Sequence, residues 1–166
     1  MRETRRQLTL FITEGKETIE LIRAKFNPAQ HDLIAAHVTL CRENEIGLLD
    51  KVIQNIRPVN IHKPLIIKFE SPVRFADGKG VLIPAIERND EFYNLRKVVL
   101  KGIYADPYQQ HPHITLMHPR NSTCTDEIFE QIIQYELPVQ LNFDAISLIE
   151  QKDGGKWTIL KQFALY

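Results

Sequence analysis

His37-Val38-Thr39-Leu40 and His113-Ile114-Thr115-Leu116 are the two stretches whose reading decides the fold of this chain. Each sets a histidine and a threonine on either side of one apolar residue and follows them with another. In a β-strand successive side chains point to opposite faces, and residues i and i+2 share a face roughly 6.5–7 Å apart. His37 and Thr39 therefore share one face while Val38 and Leu40 pack on the other, and the same alternation holds for His113 to Leu116. Each motif offers an imidazole beside a hydroxyl on a rigid, half-buried element, which is the support a well-positioned site needs. With six histidines and nine threonines in 166 residues, the chance expectation for such a string is about 0.06. Two copies are improbable by chance.

Working outward, the motifs sit in two similar halves. The spacing predicts a strand over Leu8–Ile12 and a helix over Lys16–Phe26, with Ile19, Ile22 and Phe26 on one stripe. Asn27-Pro28 ends that helix, and the first motif lies in an apolar strand from Leu33 to Cys41. A second helix is expected at Ile46–Ile56, closed by Arg57-Pro58, because a residue before proline resists the α region. Strands follow at Leu65–Phe69 and Val81–Ile86, joined through Asp77-Gly78-Lys79-Gly80. A third helix opens at Asn89-Asp90 and stops at Gly102. The loop Tyr104–Tyr108 leads to the second motif strand, and Thr125-Asp126 starts a fourth helix carrying Ile128, Phe129, Ile132 and Ile133. Val139–Ile149 and Lys156–Leu165 are expected to form the closing hairpin around Lys152-Asp153-Gly154-Gly155.

Each half thus has a helix, a motif strand, a second helix and a hairpin. The histidines recur at an offset of 76 residues, as do the threonines. Pro64 to Glu70 aligns with Pro138 to Asp144 at an offset of 74, and the same offset places Gly80 opposite Gly154 at the hairpin turn. A duplicated unit that cannot bury its sheet face alone would pair with its copy.

The chemistry follows from the residue types. In-line transfer at phosphorus needs one group to take a proton from the attacking oxygen and another, on the opposite side, to give one to the leaving oxygen. Histidine suits both roles because its ordinary pKa of about 6.5 lets both forms coexist near neutrality. Threonine hydroxyls can donate to the non-bridging phosphate oxygens, where charge builds. Two copies about a two-fold axis would place one His-Thr pair on each side of the phosphorus.

These paired motifs, one in each half of the repeat, resemble those of the 2H phosphoesterase superfamily. The chain is most similar to its short bacterial 2'-5' RNA ligase-like (cyclic phosphodiesterase) members. The resemblance spans nearly the whole chain, including Asp153-Gly154-Gly155-Lys156-Trp157-Thr158, similar to the corresponding hairpin of those proteins. It implies an α+β fold over residues 1–166 as one domain of two pseudo-symmetric βαβαββ-type lobes, with antiparallel sheets lining a central cleft. It implies metal-free chemistry, without cofactor, at 2',3'-cyclic phosphates or 2'-5' linkages. His37 and His113 become the acid–base pair, and Thr39 and Thr115 the phosphate clamps. His37 is expected to protonate the leaving oxygen and His113 to activate water, giving a 2'-phosphate.

Around this set, His111, Arg42, Tyr108 and His118 are candidate supporting or substrate-contacting residues, as are Arg120 and Tyr104. Cys41 falls on the face of His37 and Thr39 but has no partner for nucleophilic chemistry, and Trp157 reads as a packing residue of the hairpin. His31 and His62 read as surface residues.

The composition is ordinary for a globular chain, 43% hydrophobic and 25% charged, with a formal net charge of +0. An RNA-binding surface would therefore have to be local. Two cysteines do not make a disulfide framework, no apolar run reaches membrane-spanning length, and the first apolar run is too short for a signal-peptide core. The expected setting is a cytoplasmic monomer acting on RNA ends or a cyclic nucleotide, away from membranes. Two rival readings are a non-catalytic RNA-end or nucleotide-binding module on the same scaffold, and a metal-dependent hydrolase using His111, His113 and His118. The latter spacing is no familiar ligand set, and no carboxylate or thiolate completes it.

Overall fold

The computed structural model describes residues 2–166. Its elements run in the order β1 (Thr4–Phe11), α1 (Glu17–Phe26), α2 (Pro28–Leu33), β2 (His37–Cys41), a 3-10 turn (Glu43–Glu45), α3 (Leu49–Ile56), β3 (Leu65–Lys68), β4 (Val73–Arg74), β5 (Val81–Pro84), α4 (Asp90–Val99), β6 (His113–Met117), α5 (Asp126–Ile132), β7 (Gln140–Phe143), β8 (Ala145–Lys152) and β9 (Trp157–Ala164). One seven-stranded sheet has the order β4-β5-β6-β2-β1-β8-β9, and β3 pairs with β7 in a second, two-stranded sheet. Every strand pairing is antiparallel.

Several boundaries differ from the sequence reading for identifiable reasons. The first strand begins at Thr4, not Leu8, because its polar first half pairs residue by residue with β8, from Thr4 opposite Lys152 to Gln7 opposite Ile149. Pro28 starts a new helix immediately after α1. Proline is well suited to the first helical position, where its missing N–H would have no helical partner. The motif strand is correspondingly short. Gly47 and Leu48 interrupt the second helix, which begins at Leu49, although Ile46 is still buried. The strand at Leu65 meets that at Val81 only at its end, where Phe69 bridges Ala85. It pairs with β7, and Val81 pairs instead with Arg74 of the short β4.

The duplication is visible in the registers. The units β1-α1-β2-α3-β3-β4 and β5-α4-β6-α5-β7-β8 repeat in tandem, with α2 inserted in the first and β9 added after the second. Two pairs are self-equivalent under this correspondence: Val38 lies opposite Ile114, and Ile67 opposite Leu141. A pseudo-two-fold axis passes through both. The left-handed turn glycines that correspond are Gly78 (φ 74°) and Gly154 (φ 72°), each preceded by aspartate. This corrects the alignment of Gly80 with Gly154.

The core follows from the alternation. Val38, Leu40, Ile114 and Leu116 are buried together with Ile19 and Ile22 of α1 and Phe92, Leu95 and Val99 of α4. Helix α1 contacts β6 and α4 contacts β2, so each half lays its first helix against the other half's motif strand. Among the described residues, no helix is long and apolar enough to cross a membrane.

Candidate active site

The single register point between the motif strands, Val38 opposite Ile114, dictates the layout of the site. In an antiparallel pair this sets His37 diagonally from His113, with each histidine across from the other half's threonine. Direct cross-strand neighbours lie about 4.5–5.5 Å apart and diagonal ones about 7–8 Å. A group placed on such a diagonal would have an imidazole at each end and a hydroxyl on each flank. All four motif side chains line one cleft of about 470 Å³.

Both imidazoles are held the same way. His37 Nδ1 donates to the Ala35 carbonyl at 2.8 Å, and His113 Nδ1 donates to the His111 carbonyl at 3.2 Å. A carbonyl can only accept, so Nδ1 carries the hydrogen and Nε2 is left as the nitrogen that gains and loses a proton. An aromatic ring braces each: Phe11 meets His37 in a T-shaped contact at 6.0 Å and Phe75 meets His113 at 6.2 Å.

Burial disfavours the charged imidazole and pushes His37 down to about 4, reinforced by the nearby Arg23 and His113 charges and opposed by the Ala35 bond and Glu20. His113 is also lowered, first by burial and then by Arg42 and His111, with its bond to the His111 carbonyl opposing. Without an anion in the cleft, both are neutral at pH 7.

The net charge of zero conceals a local concentration of cations. Arg5, Arg23, Arg42 and Arg120 line the cleft, against one lining carboxylate, Glu43, which pairs with Arg5 at 3.2 Å. Arg23 is almost wholly buried; it bonds Glu20 and the Ile34 carbonyl. The Arg5 guanidinium lies 5.5 Å from the centre of the Trp157 ring, and both line the cleft. Gln7, Gln30 and Gln110 supply further polar walls.

Of the supporting residues expected from sequence, Arg42, His118 and Arg120 are among those lining the cleft, but the side chains of His111 and Tyr108 are not. The His111 ring bonds the Ala85 carbonyl at 2.7 Å through Nε2, and it is the His111 backbone that serves His113. Tyr108 is 80% exposed, and its carbonyl accepts from Arg96 and from the Gln110 backbone N–H. His118 Nδ1 accepts from the Arg120 backbone N–H at 3.1 Å. His111, His113 and His118 therefore serve three separate partners, and no group of three His, Cys, Asp or Glu among the described residues is arranged to hold a metal ion. Burial raises the Cys41 thiol to about 12, which removes it as a nucleophile.

Arg5, Gln7, Arg23 and Trp157 are among the cleft-lining residues that strand and motif reading did not assign to the site. A signal existed for three of them. Arg5 and Gln7 alternate in phase with Thr9 across the strand from Thr39. Arg23 corresponds in the repeat to Arg96, and a buried arginine in the same place in both first helices marks a position that is more than surface charge.

A family model described as the 2'-5' RNA ligase superfamily matches residues 13–155. Among solved structures, E. coli LigT in apo form is similar with a TM-score of 0.64 and 18% identity over 98% of each chain. E. coli LigT complexed with phosphate gives 0.62 and 16% over 99% of each chain. A conserved protein of unknown function, ATU0111 from Agrobacterium tumefaciens, gives 0.62 and 13%, covering 100% of this chain and 87% of its own. At these identities the likeness is one of fold. No curated protein matches the chain.

Proposed function

The chain belongs to the 2'-5' RNA ligase superfamily, and from that premise we propose that it is a metal-independent phosphoesterase that opens 2',3'-cyclic phosphates on RNA ends or nucleotides to 2'-phosphates. The observation that carries the reading is the pair of imidazoles on one diagonal of one arginine-lined cleft, both with Nδ1 tied to a backbone carbonyl.

In the forward direction, His113 Nε2 takes a proton from water as the water oxygen bonds to phosphorus. The bond from phosphorus to the 3'-oxygen breaks, and His37 Nε2 gives that oxygen its proton. The 2'-oxygen keeps the phosphate. A 5'-hydroxyl in place of the attacking water would open the same cyclic phosphate by the same steps, with the 3'-oxygen leaving, and give a 2'-5' linkage. The role assignment rests on the neighbours. Glu20 is the one neighbouring side chain of either imidazole that favours a charged form, and it acts on His37, against the larger effects of burial, Arg23 and His113. The proton on His37 arrives with the substrate, whose negative charge offsets the effect of burial and Arg23. Thr39 and Thr115 hold non-bridging oxygens, and the arginines draw in the anion.

The test is turnover of a panel of 2',3'-cyclic nucleotides, cyclic-ended oligonucleotides, and 2'-5' and 3'-5' diesters in the presence of chelator, with the products identified as 2'- or 3'-phosphates. The expected result is chelator-resistant formation of 2'-phosphate, abolished in His37→Ala/His113→Ala. Tight binding without turnover across the whole panel would make the protein a binding module instead.

A further inference from the structure

β1 and β5 occupy equivalent places beside β2 and β6, and each carries an irregularity at the same point. The register shifts between Leu8 and Thr9, opposite Cys41 and Thr39, and between Val81 and Leu82, opposite Met117 and Thr115. Gln7 therefore corresponds to Gly80, and Thr9 to Leu82. This makes the two motif threonines unlike. Gln7 Nε2 donates to Thr9 Oγ1 at 2.9 Å and to Thr39 Oγ1 at 3.1 Å. Beside Thr115 the equivalent position has no side chain and has room for none. A Cβ on Gly80 would come within 2.5 Å of the Phe75 ring and 2.8 Å of both the Met117 carbonyl oxygen and Pro119 Cδ.

A hydroxyl has one proton and two acceptor sites. An amide N–H that occupies an acceptor site cannot also receive the hydroxyl proton, so that proton turns elsewhere. For Thr39 the open direction is the cleft, which both residues line. We propose that Gln7 is a positioning residue that commits the Thr39 hydroxyl to donate to an anion in the cleft, making Thr39 the fixed clamp for a phosphoryl oxygen and Thr115 an adjustable one. This rests on the reading of the cleft as a phosphoester site. A donor already aimed at the developing charge stabilises it without reorganising at the moment of reaction. The pseudo-symmetric cleft thereby gains one preferred orientation for its phosphate.

A double-mutant cycle tests this. Gln7→Met keeps the length of the side chain and lacks its N–H donors, and Thr39→Val keeps the shape and lacks the hydroxyl. The expected result is a drop in kcat of about tenfold for Gln7→Met, an unmoved pH profile, and no further loss when Gln7→Met is added to Thr39→Val. Gln7→Glu offers an acceptor that captures the Thr39 proton and is expected to fall as far as Thr39→Val. It also carries the test if Gln7→Met does not fold, as melting temperatures will show. The same cycle is read on binding of inorganic phosphate by calorimetry, which requires no turnover. Additive effects of Gln7→Met and Thr39→Val, or a wild-type rate and affinity in Gln7→Glu, overturn the proposal. A wild-type protein that turns over no diester but shows the coupling in phosphate binding overturns the proposed reaction and leaves the role of Gln7 standing. One that neither turns over diesters nor binds phosphate overturns both.

Discussion

The half built around His37 and the half built around His113 share a backbone plan almost residue for residue and differ in what decorates it. Both hold their histidine through the carbonyl two residues earlier, brace it with a phenylalanine edge, shift register at the same strand position and bury an arginine at the same place in the first helix. Yet Thr39 has Gln7 and Thr9 beside it, where Thr115 has Gly80 and Leu82. Arg42 in one half is His118 in the other, both lining the cleft. Shared backbone explains why two imidazoles line one cleft. The divergence gives that cleft a direction, which a hydrolysis with distinct acid and base requires.

The largest effects are expected at the histidines, and they separate the halves. His37→Ala and His113→Ala should each lower kcat by about 10²–10⁴-fold on a cyclic nucleotide, the usual contribution of a placed acid or base. A diester with a leaving group that needs no proton should restore most of the rate to His37→Ala and little to His113→Ala. Equal rescue of both, measured by initial rates on matched substrates, would mean the halves are interchangeable.

The two buried arginines come next. Arg96 donates to the Leu40 carbonyl, to both carboxylate oxygens of Glu45 (3.1 and 2.6 Å) and to the Tyr108 carbonyl at 2.7 Å, tying α4 to the end of β2. Arg96 itself is 1% exposed, and its removal leaves the half-buried Glu45 carboxylate and two backbone carbonyls without their partner, so Arg96→Met should cost about 3 kcal/mol in urea denaturation. Arg23 bonds only within its own half and lines the cleft, so its replacement is felt mainly in the pH profile. Below about 4, the value to which burial and Arg23 depress His37, both imidazoles are charged and no base remains. Above the His113 value, lowered from 6.5, both are neutral and the pair holds no proton for the leaving oxygen. The optimum of kcat/KM is therefore expected between about 4 and 6.5. Arg23→Met removes a cation that lowers His37, so the limb belonging to His37 should move to higher pH while that of His113 stays. A limb that does not move in Arg23→Met would detach Arg23 from the site.

What could be read from sequence was whatever short-range periodicity carries. The motif strands alternate cleanly, and α1 and α4 show their buried stripes, so the four motif residues and the helices around them were legible. The partners of those residues were not. Gln7 and Thr39 are joined by a register set across 32 positions, and Arg5 reaches Gln151 across 146. Nothing local in Thr4-Arg5-Arg6-Gln7 signals a strand, because its pairing with β8 supplies the reason. Asn27-Pro28 read as a stop, although proline ends one helix and opens the next equally well. The i, i+2 alternation puts His111 beside His113 on the cleft face, but its ring bonds the Ala85 carbonyl of the neighbouring chain segment and does not line the cleft.

The smallest effects test how far the duplication extends. Gly78 and Gly154 occupy equivalent turns with φ of 74° and 72° and open space where a Cβ would go. Alanine at either should cost about 1–2 kcal/mol, the penalty of the left-handed region for an L-residue. Gly80 is not in that region; its constraint is crowding by Phe75, the Met117 carbonyl and Pro119. Gly80→Ala should cost about 1–3 kcal/mol through overpacking, and Phe75→Leu, by relieving the nearest contact, should recover part of that loss. Phe75 also braces His113, so the relief should come with a looser imidazole and a lower rate. If Gly80→Ala is instead no worse than Gly154→Ala and is not relieved by Phe75→Leu, the Thr115 side has space for a side chain like Gln7. The difference between the threonines would then be an accident of sequence, where crowding now makes it a requirement of packing.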